Sequence, residues 1–224
     1  MRLLLPALAA VMAAAMAIAA QNAWAQPANM RWKLDAPARL ASGDQPVADS
    51  TWRFEPMAPG WHVTAGPGVL LYDPTQGAEG QFSIESQMFL FPNPPHEGIG
   101  VFVGGRELES ERSSCLLFLI RRDGQYSIAE QSGTVMRTIR AWTADTSIAP
   151  HPGGSEVILN RIRVGVTPDS VILSINQKRV TAIPRAGLHV EGQFGIRIGA
   201  RANVHVTTLD HTKHLAPIRR GARP

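Results

Sequence analysis

LFLIRRDGQYSIAEQSG, residues 117–133, is a pair of strand-like runs about one corner. Leu116 to Ile120 is apolar at every position, the pattern of a strand covered on both faces. Arg121 and Arg122 end that burial. Asp123 and Gly124 tolerate positive φ, which a tight hairpin turn requires. Beyond them Tyr126 and Ile128 alternate with Gln125 and Ser127, so the returning strand has one apolar face. Folding alone explains this hairpin, and no catalytic role is needed for it.

The same rhythm extends both ways. In QFSIESQMFLF, 81–91, Phe82, Ile84, Met88 and Leu90 alternate with Ser83, Glu85 and Gln87. That is a period of two, not 3.6. Phe89 and Phe91 then make the far end apolar on both sides. The prolines of PNPPHEG forbid regular pairing, and GIGVFVGG, 98–105, follows between its glycines. Further strands are expected at 135–142, 157–166, 170–176, 179–183, 194–198 and 204–209. Corners fall at Pro152-Gly153-Gly154, Pro168-Asp169, Asn176-Gln177 and Gly192. About a dozen short strands and no amphipathic helix predict an all-β, antiparallel two-sheet β-sandwich. Periodicity alone leaves a closed barrel open.

The ends read differently. Arg2, the apolar run from Leu3 to Ala20, and Ala23-Trp24-Ala25 predict a cleaved signal peptide over 1–25, with Gln26 as the mature terminus. At roughly 18 residues the run could also span a membrane, but its alanine richness and the small-x-small site favour cleavage. No later stretch approaches that length. Residues 26–50, rich in Pro, Ala and Asp, form an N-terminal arm, with one strand expected around Met30 to Leu34. Residues 51–212 form the sandwich. Residues 213–224, with Arg219, Arg220 and Arg223, form a basic tail. The expectation is an exported protein, periplasmic or extracellular. Its formal charge of +4 is spread out, without the basic stripe and interleaved aromatics of a nucleic-acid binder. Cys115 is the one cysteine. An internal disulfide is therefore excluded, and the fold must hold by burial, for which about 200 residues suffice. Opening CLLFLI, Cys115 reads as a small core residue.

Taken in order, GWHVTAGPGVLLYDP, GQFSIESQMFLF, GIGVFVGG, FLIRRDGQYSI, NRIRVGVTPDSVILSINQKRVTAIP, QFGIRI and NVHVTTL resemble the concanavalin A-like lectin/glucanase sandwiches. Within these the chain is most similar to laminin-G-like and 3-keto-disaccharide-hydrolase-type domains of secreted bacterial proteins. VILSINQKRV resembles their strand, Asn-Gly, strand hairpin, with Gln177 where Gly is usual. The resemblance covers about 51–209. It implies a jelly-roll sandwich, and it leaves activity open, because that fold hosts lectins, glucanases and adhesion modules alike.

A retaining glycosidase needs two carboxyl groups about 5 Å apart, and the glucanases of this superfamily carry Glu-x-Asp-x-x-Glu on one strand. That motif is missing. Glu107, Glu109 and Glu111 come nearest, but they follow Gly104-Gly105 in a stretch with Ser and Arg, and a solvated loop is the simpler reading. His205, Asp210, His211 and His214 are chemically able to ligate a transition metal, yet lie at a strand end and in an expected irregular tail. Asp73 and Glu79 are weak calcium candidates. No cofactor and no metal are therefore expected. Sugar recognition needs flat apolar faces and planar polar groups. Trp142 and Tyr126, with Arg122, Arg140, His96 and Glu97, are the ligand-binding set expected here, centred on a Trp at a strand end beside the loop TADTSIAPHPGG. The polar strand positions Glu85, Gln87, Ser174, Arg197 and His205 mark wet sheet faces. Together these features predict a non-catalytic module whose partner is a carbohydrate or another cell-envelope polymer. The alternatives are a 3-keto-disaccharide-type glycoside hydrolase, in which Glu85, Glu97 or Glu109 must meet a second acid, and a protein-interaction domain.

Overall fold

The computed structural model describes residues 31–34, 53–65, 68–91 and 98–215. Among them are fourteen strands, and no helix long and apolar enough to cross a membrane. The strands form two seven-stranded sheets. The first is ordered β1 (Arg31–Leu34), β4 (Val69–Tyr72), β13 (Gln193–Ile198), β6 (Ile99–Arg106), β7 (Ser114–Ile120), β8 (Gln125–Ser132) and β9 (Val135–Ala144). The second is ordered β12 (Lys178–Pro184), β11 (Ser170–Ile175), β10 (Ile158–Val166), β5 (Gln81–Leu90), β14 (Asn203–His214), β3 (Trp61–Thr64) and β2 (Arg53–Pro56). All neighbouring strands are antiparallel. This is the expected sandwich. The arm supplies β1, which pairs with β4. β14 continues to His214, and residues 1–25, expected as a signal peptide, lie outside the described residues.

The alternating positions close the interior. Phe82, Ile84 and Met88 of β5, Ile162 and Val164 of β10, and Val204 and Val206 of β14 meet residues of the first sheet. Those partners are Val101 and Val103 of β6, Leu116, Phe118 and Ile120 of β7, and Ile196 and Ile198 of β13. Each such side chain contributes about 1.5–3 kcal/mol when fully buried. β7 is covered on both faces. Its other parity, Cys115, Leu117 and Leu119, joins Leu70, Tyr72, Phe102 and Leu108 in a second apolar cluster on the outer face of the first sheet.

Of two hairpins, the one at Asp123-Gly124 closes differently from expectation and the one at Asn176-Gln177 closes as expected. At Arg121–Gln125, Gly124 N–H donates to the Arg121 carbonyl (3.1 Å) and Arg121 N–H to the Gln125 carbonyl (2.8 Å). Gly124 alone has positive φ, +81°. This is a three-residue loop ending in a left-handed glycine, not a two-residue turn. A two-residue turn does occur at Asn176 and Gln177, where φ is +50° and +69° and Ile175 pairs with Lys178.

Asn160, wholly buried, ties the segment after β9 to the second sheet. Its amide donates to the Ala149 carbonyl and accepts from the Ala149 N–H, both at 2.9 Å. Asn176 adds bonds from its own amide to Asn160 Oδ1 (3.0 Å) and to the Ser147 carbonyl (2.8 Å). The segment in turn holds the β7–β8 corner. Asp145 N–H donates to the Gly124 carbonyl (3.1 Å) and His151 N–H to the Arg122 carbonyl (2.8 Å).

Gln177→Gly is expected to stabilise the fold by about 0.5–1 kcal/mol, since a non-glycine residue in the left-handed region costs about 1–2 kcal/mol and glycine returns part of that gain as entropy. An unchanged or lower urea midpoint would refute this account of the turn. Asn160→Ala is expected to cost about 2–4 kcal/mol by stranding both polar groups of Ala149, read by the same titration.

Candidate functional site

The outer face of the first sheet carries one row of side chains across its strands. Leu70 pairs with Arg197, Arg197 with Gly100, Gly100 with Leu119, and Leu119 with Ser127. Beyond Ser127 the row reaches Trp142 on β9. Two register shifts between β8 and β9 flank the Ile128–Arg140 pair, and such bulges re-aim side chains along an edge strand. Met136, Thr138 and Trp142 therefore line one recess of about 160 Å³, which Arg140 does not line. Ser127 Oγ donates to the Arg140 carbonyl (2.8 Å), holding β9 at the bulge. Arg197, 5 % exposed, forms part of the wall.

The indole of Trp142 is held on two sides. Gly98 has φ +124°, and a β-carbon there would stand 2.7 Å from the ring edge, so only glycine leaves the ring its seat. The Arg121 guanidinium lies 4.2 Å from the ring centroid, a cation–π contact. Arg121 is steadied by Gln125 Oε1 (3.1 Å) and the Asp123 carboxylate (3.3 Å). The result is a half-buried tryptophan beside hydroxyls and a guanidinium.

A larger groove, about 880 Å³, opens at the opposite end of β13. Its walls are the β4–β5 turn, the β6–β7 loop and Gln193. Gln193 Nε2 donates to the Pro74 carbonyl (3.2 Å), and Tyr72 OH donates to Glu109 Oε1 (3.4 Å). Asp73 is engaged within its own turn, accepting from Thr75 N–H (2.9 Å), Thr75 Oγ1 (2.7 Å) and Gln76 Nε2 (3.2 Å). Slight burial pushes its pKa up, but these bonds outweigh that and hold the carboxyl below its usual range. Its oxygens thus already have donors, and Glu79 points into solvent.

The expected binding set is only partly assembled. Trp142 lines the recess. Tyr126 does not: it is 5 % exposed and packs in the inter-sheet core, on the parity of Ile128. Arg122 approaches His151 Nδ1 (3.2 Å), whose Nε2–H donates to the Glu156 carbonyl (2.9 Å). Arg140 is exposed on β9. His96 and Glu97 lie outside the described residues. Arg121, one residue from Arg122, was missed because the three-residue turn decides which of the two arginines folds back. Gly98 carried a signal only as a strand-bounding glycine.

The carboxylate candidates do not converge. Glu107 accepts from Arg112 Nε (2.9 Å), and Leu108 plugs the outer cluster, so 107–111 is a loop with no common face. Glu85 lies on the second sheet, 3.2 Å from Arg161. Glu109 stands beyond the other sheet, against Tyr72. Nor do the histidines of β14 act together. A bulge at Val206–Thr208 shifts parity. His211, in the strand rather than in an irregular tail, packs between Phe82 (5.9 Å) and Phe194 (5.0 Å). Burial first, then the Lys213 charge, pushes its pKa down. Among the described residues no three His, Cys, Asp or Glu side chains are grouped to hold a metal ion.

The architecture is that of the concanavalin A-like jelly-roll sandwiches. It is similar to a glycoside hydrolase family 16 endo-glucanase from Bacteroides ovatus, with a TM-score of 0.58 and 7% identity over 84% of this chain and 97% of that one. It is also similar to the carbohydrate-binding module CBM66 from Bacillus subtilis, with a TM-score of 0.57 and 11% identity over 81% and 95% of the two chains. A Bacillus subtilis protein of galectin-like fold matches at a TM-score of 0.53 and 14% identity over 81% and 97%. No protein-family model and no curated protein matches the sequence. At these identities the likeness is one of fold.

Gly98→Ala is expected to displace the indole and to cost about 1–3 kcal/mol, combining backbone strain with overpacking. Near-ultraviolet circular dichroism and a melt read both effects. A variant matching the parent in each would refute the seat assigned to Trp142.

Proposed function

We propose that this protein is an exported, non-catalytic module that binds a polysaccharide or another cell-envelope polymer through the recess under Trp142. The observation that carries the reading is the indole itself: half-buried, held by Arg121 and Gly98, and flanked by Ser127 and Thr138. A held aromatic face beside a few convergent polar groups suits a sugar ring, whose C–H face stacks while its hydroxyls find partners. The fold gives support of a general kind, since a carbohydrate-binding module and a glucanase share it. Binding is favoured over hydrolysis by charge. The seven strands of the first sheet contain a single carboxylate, Glu130, which pairs with Arg137 (2.9 Å). Among the described residues no carboxylate lines the recess under Trp142, where either hydrolysis geometry needs two. Export rests on the leader.

Titration calorimetry of the full chain against soluble envelope polysaccharides tests the reading. Trp142→Ala should weaken binding by about 2 kcal/mol, roughly thirtyfold, as for a central aromatic anchor, in a variant whose far-ultraviolet circular dichroism shows the sheets intact. The reading fails if every polysaccharide leaves the protein unbound, or if Trp142→Ala binds as the parent does. Terminal sequencing of the exported protein should begin at Gln26.

A further inference from the structure

The second sheet holds a feature the recess does not use. His62 on β3 and His205 on β14 are direct cross-strand partners, and Glu55 on β2 pairs with His62. The two imidazole centres lie 6.5 Å apart. His205 is 8 % exposed. Its Nε2 lies 2.8 Å from the Pro59 carbonyl. A carbonyl can only accept, so Nε2 carries the proton and Nδ1 presents a bare lone pair. That Nδ1 is buried and has no hydrogen-bond partner. His62 Nδ1 and Asn203 Oδ1 are likewise buried and unpartnered. Asn203 is two residues from His205 on the same strand and so shares its face.

Orphaned buried polar atoms are rare in native proteins, and each calls for an occupant. Here three of them, two being imidazole nitrogens, sit on adjacent strands. The fixed proton on His205 is the arrangement that metal-bound histidines adopt, in which the second ring nitrogen donates to a carbonyl and leaves the first to ligate. Phe91 stands edge-on to His62 (4.8 Å) and Phe89 near His205 (5.8 Å), an apolar surround that limits solvent.

We propose that His62 Nδ1 and His205 Nδ1 bind a divalent transition-metal ion, with Asn203 Oδ1 and solvent completing its shell. Two imidazoles and an amide oxygen suit Cu²⁺, Ni²⁺ and Zn²⁺ rather than Ca²⁺ or Mg²⁺. Metal–nitrogen bonds of about 2.0–2.1 Å hold two ring centres about 5–6.5 Å apart. The observed spacing is the outer limit of that range, so binding draws the rings together. This site is separate from the recess, on the other sheet, and is independent of the function proposed above.

The full chain, free of any polyhistidine tag, stripped with EDTA and desalted, is titrated with ZnCl₂ by calorimetry and with CuSO₄ by electron paramagnetic resonance. One ion should bind with Kd of about 10 μM or tighter, about 7 kcal/mol. The copper spectrum should show coupling to two nitrogens. His62→Ala should weaken Zn²⁺ binding by about tenfold to a hundredfold and remove one nitrogen from the spectrum. His211→Ala/His214→Ala, on the same strand, should change neither. His205→Ala loses its bond to Pro59, so His62→Ala decides if that variant does not fold. Absence of binding at 100-fold higher Zn²⁺, or binding untouched by His62→Ala, or binding abolished by His211→Ala/His214→Ala, would each overturn the proposal.

Discussion

Everything else in this fold is arranged around β7, a strand with no wet side. Leu116, Phe118 and Ile120 enter the inter-sheet core while Cys115, Leu117 and Leu119 face outward into a second cluster. A strand apolar on both faces must lie inside its sheet and must be covered from outside as well. The sequence after β6 answers that demand. The Glu107–Ser113 loop folds back so that Leu108 reaches the outer cluster. The hairpin arm β8 pairs on the other flank along the whole of β7. Without the outer cover, the first sheet would leave a row of large apolar side chains in water.

Most of the architecture was legible because a half-buried sheet writes its pleat into the chain. β5, β8, β10 and β11 each read correctly from alternation, and the both-faced burial of β7 read from its unbroken apolar run. Less visible was anything that depends on a change of parity. Two bulges in β9 separate Arg140 from the line of Met136, Thr138 and Trp142. The bulge in β14 sends His205 and His211 to different faces. One inserted residue reverses every later side chain, and no composition rule marks where the insertion falls. Turn type was also hidden. Asp-Gly serves equally in two-residue and three-residue loops, and which one formed decided that Arg121 came to rest over Trp142.

The candidate site was legible as an aromatic and little more. A tryptophan at a strand end beside a long loop could be picked out. Tyr126 could not be separated from it, because a core tyrosine and a platform tyrosine occupy identical patterns until pairing is known. The partners that give Trp142 its setting lie 21 to 55 residues away in the chain, at Arg121, Gly98 and Arg197. Sheet neighbours of this kind are set by strand order, which crosses from β13 to β6 and on through β9.

The Asn160 clamp has a consequence for how any guest would be received. It fastens the segment after β9, that segment fastens the β7–β8 corner, and the corner aims Arg121 at the indole. The wall of the recess is thereby ordered before anything arrives. A visiting molecule need not surrender freedom on the protein's behalf, and the entropy lost at docking falls almost wholly on the visitor. Stiff, repetitive chains, which have little to lose, would be retained in preference to supple ones of the same chemistry.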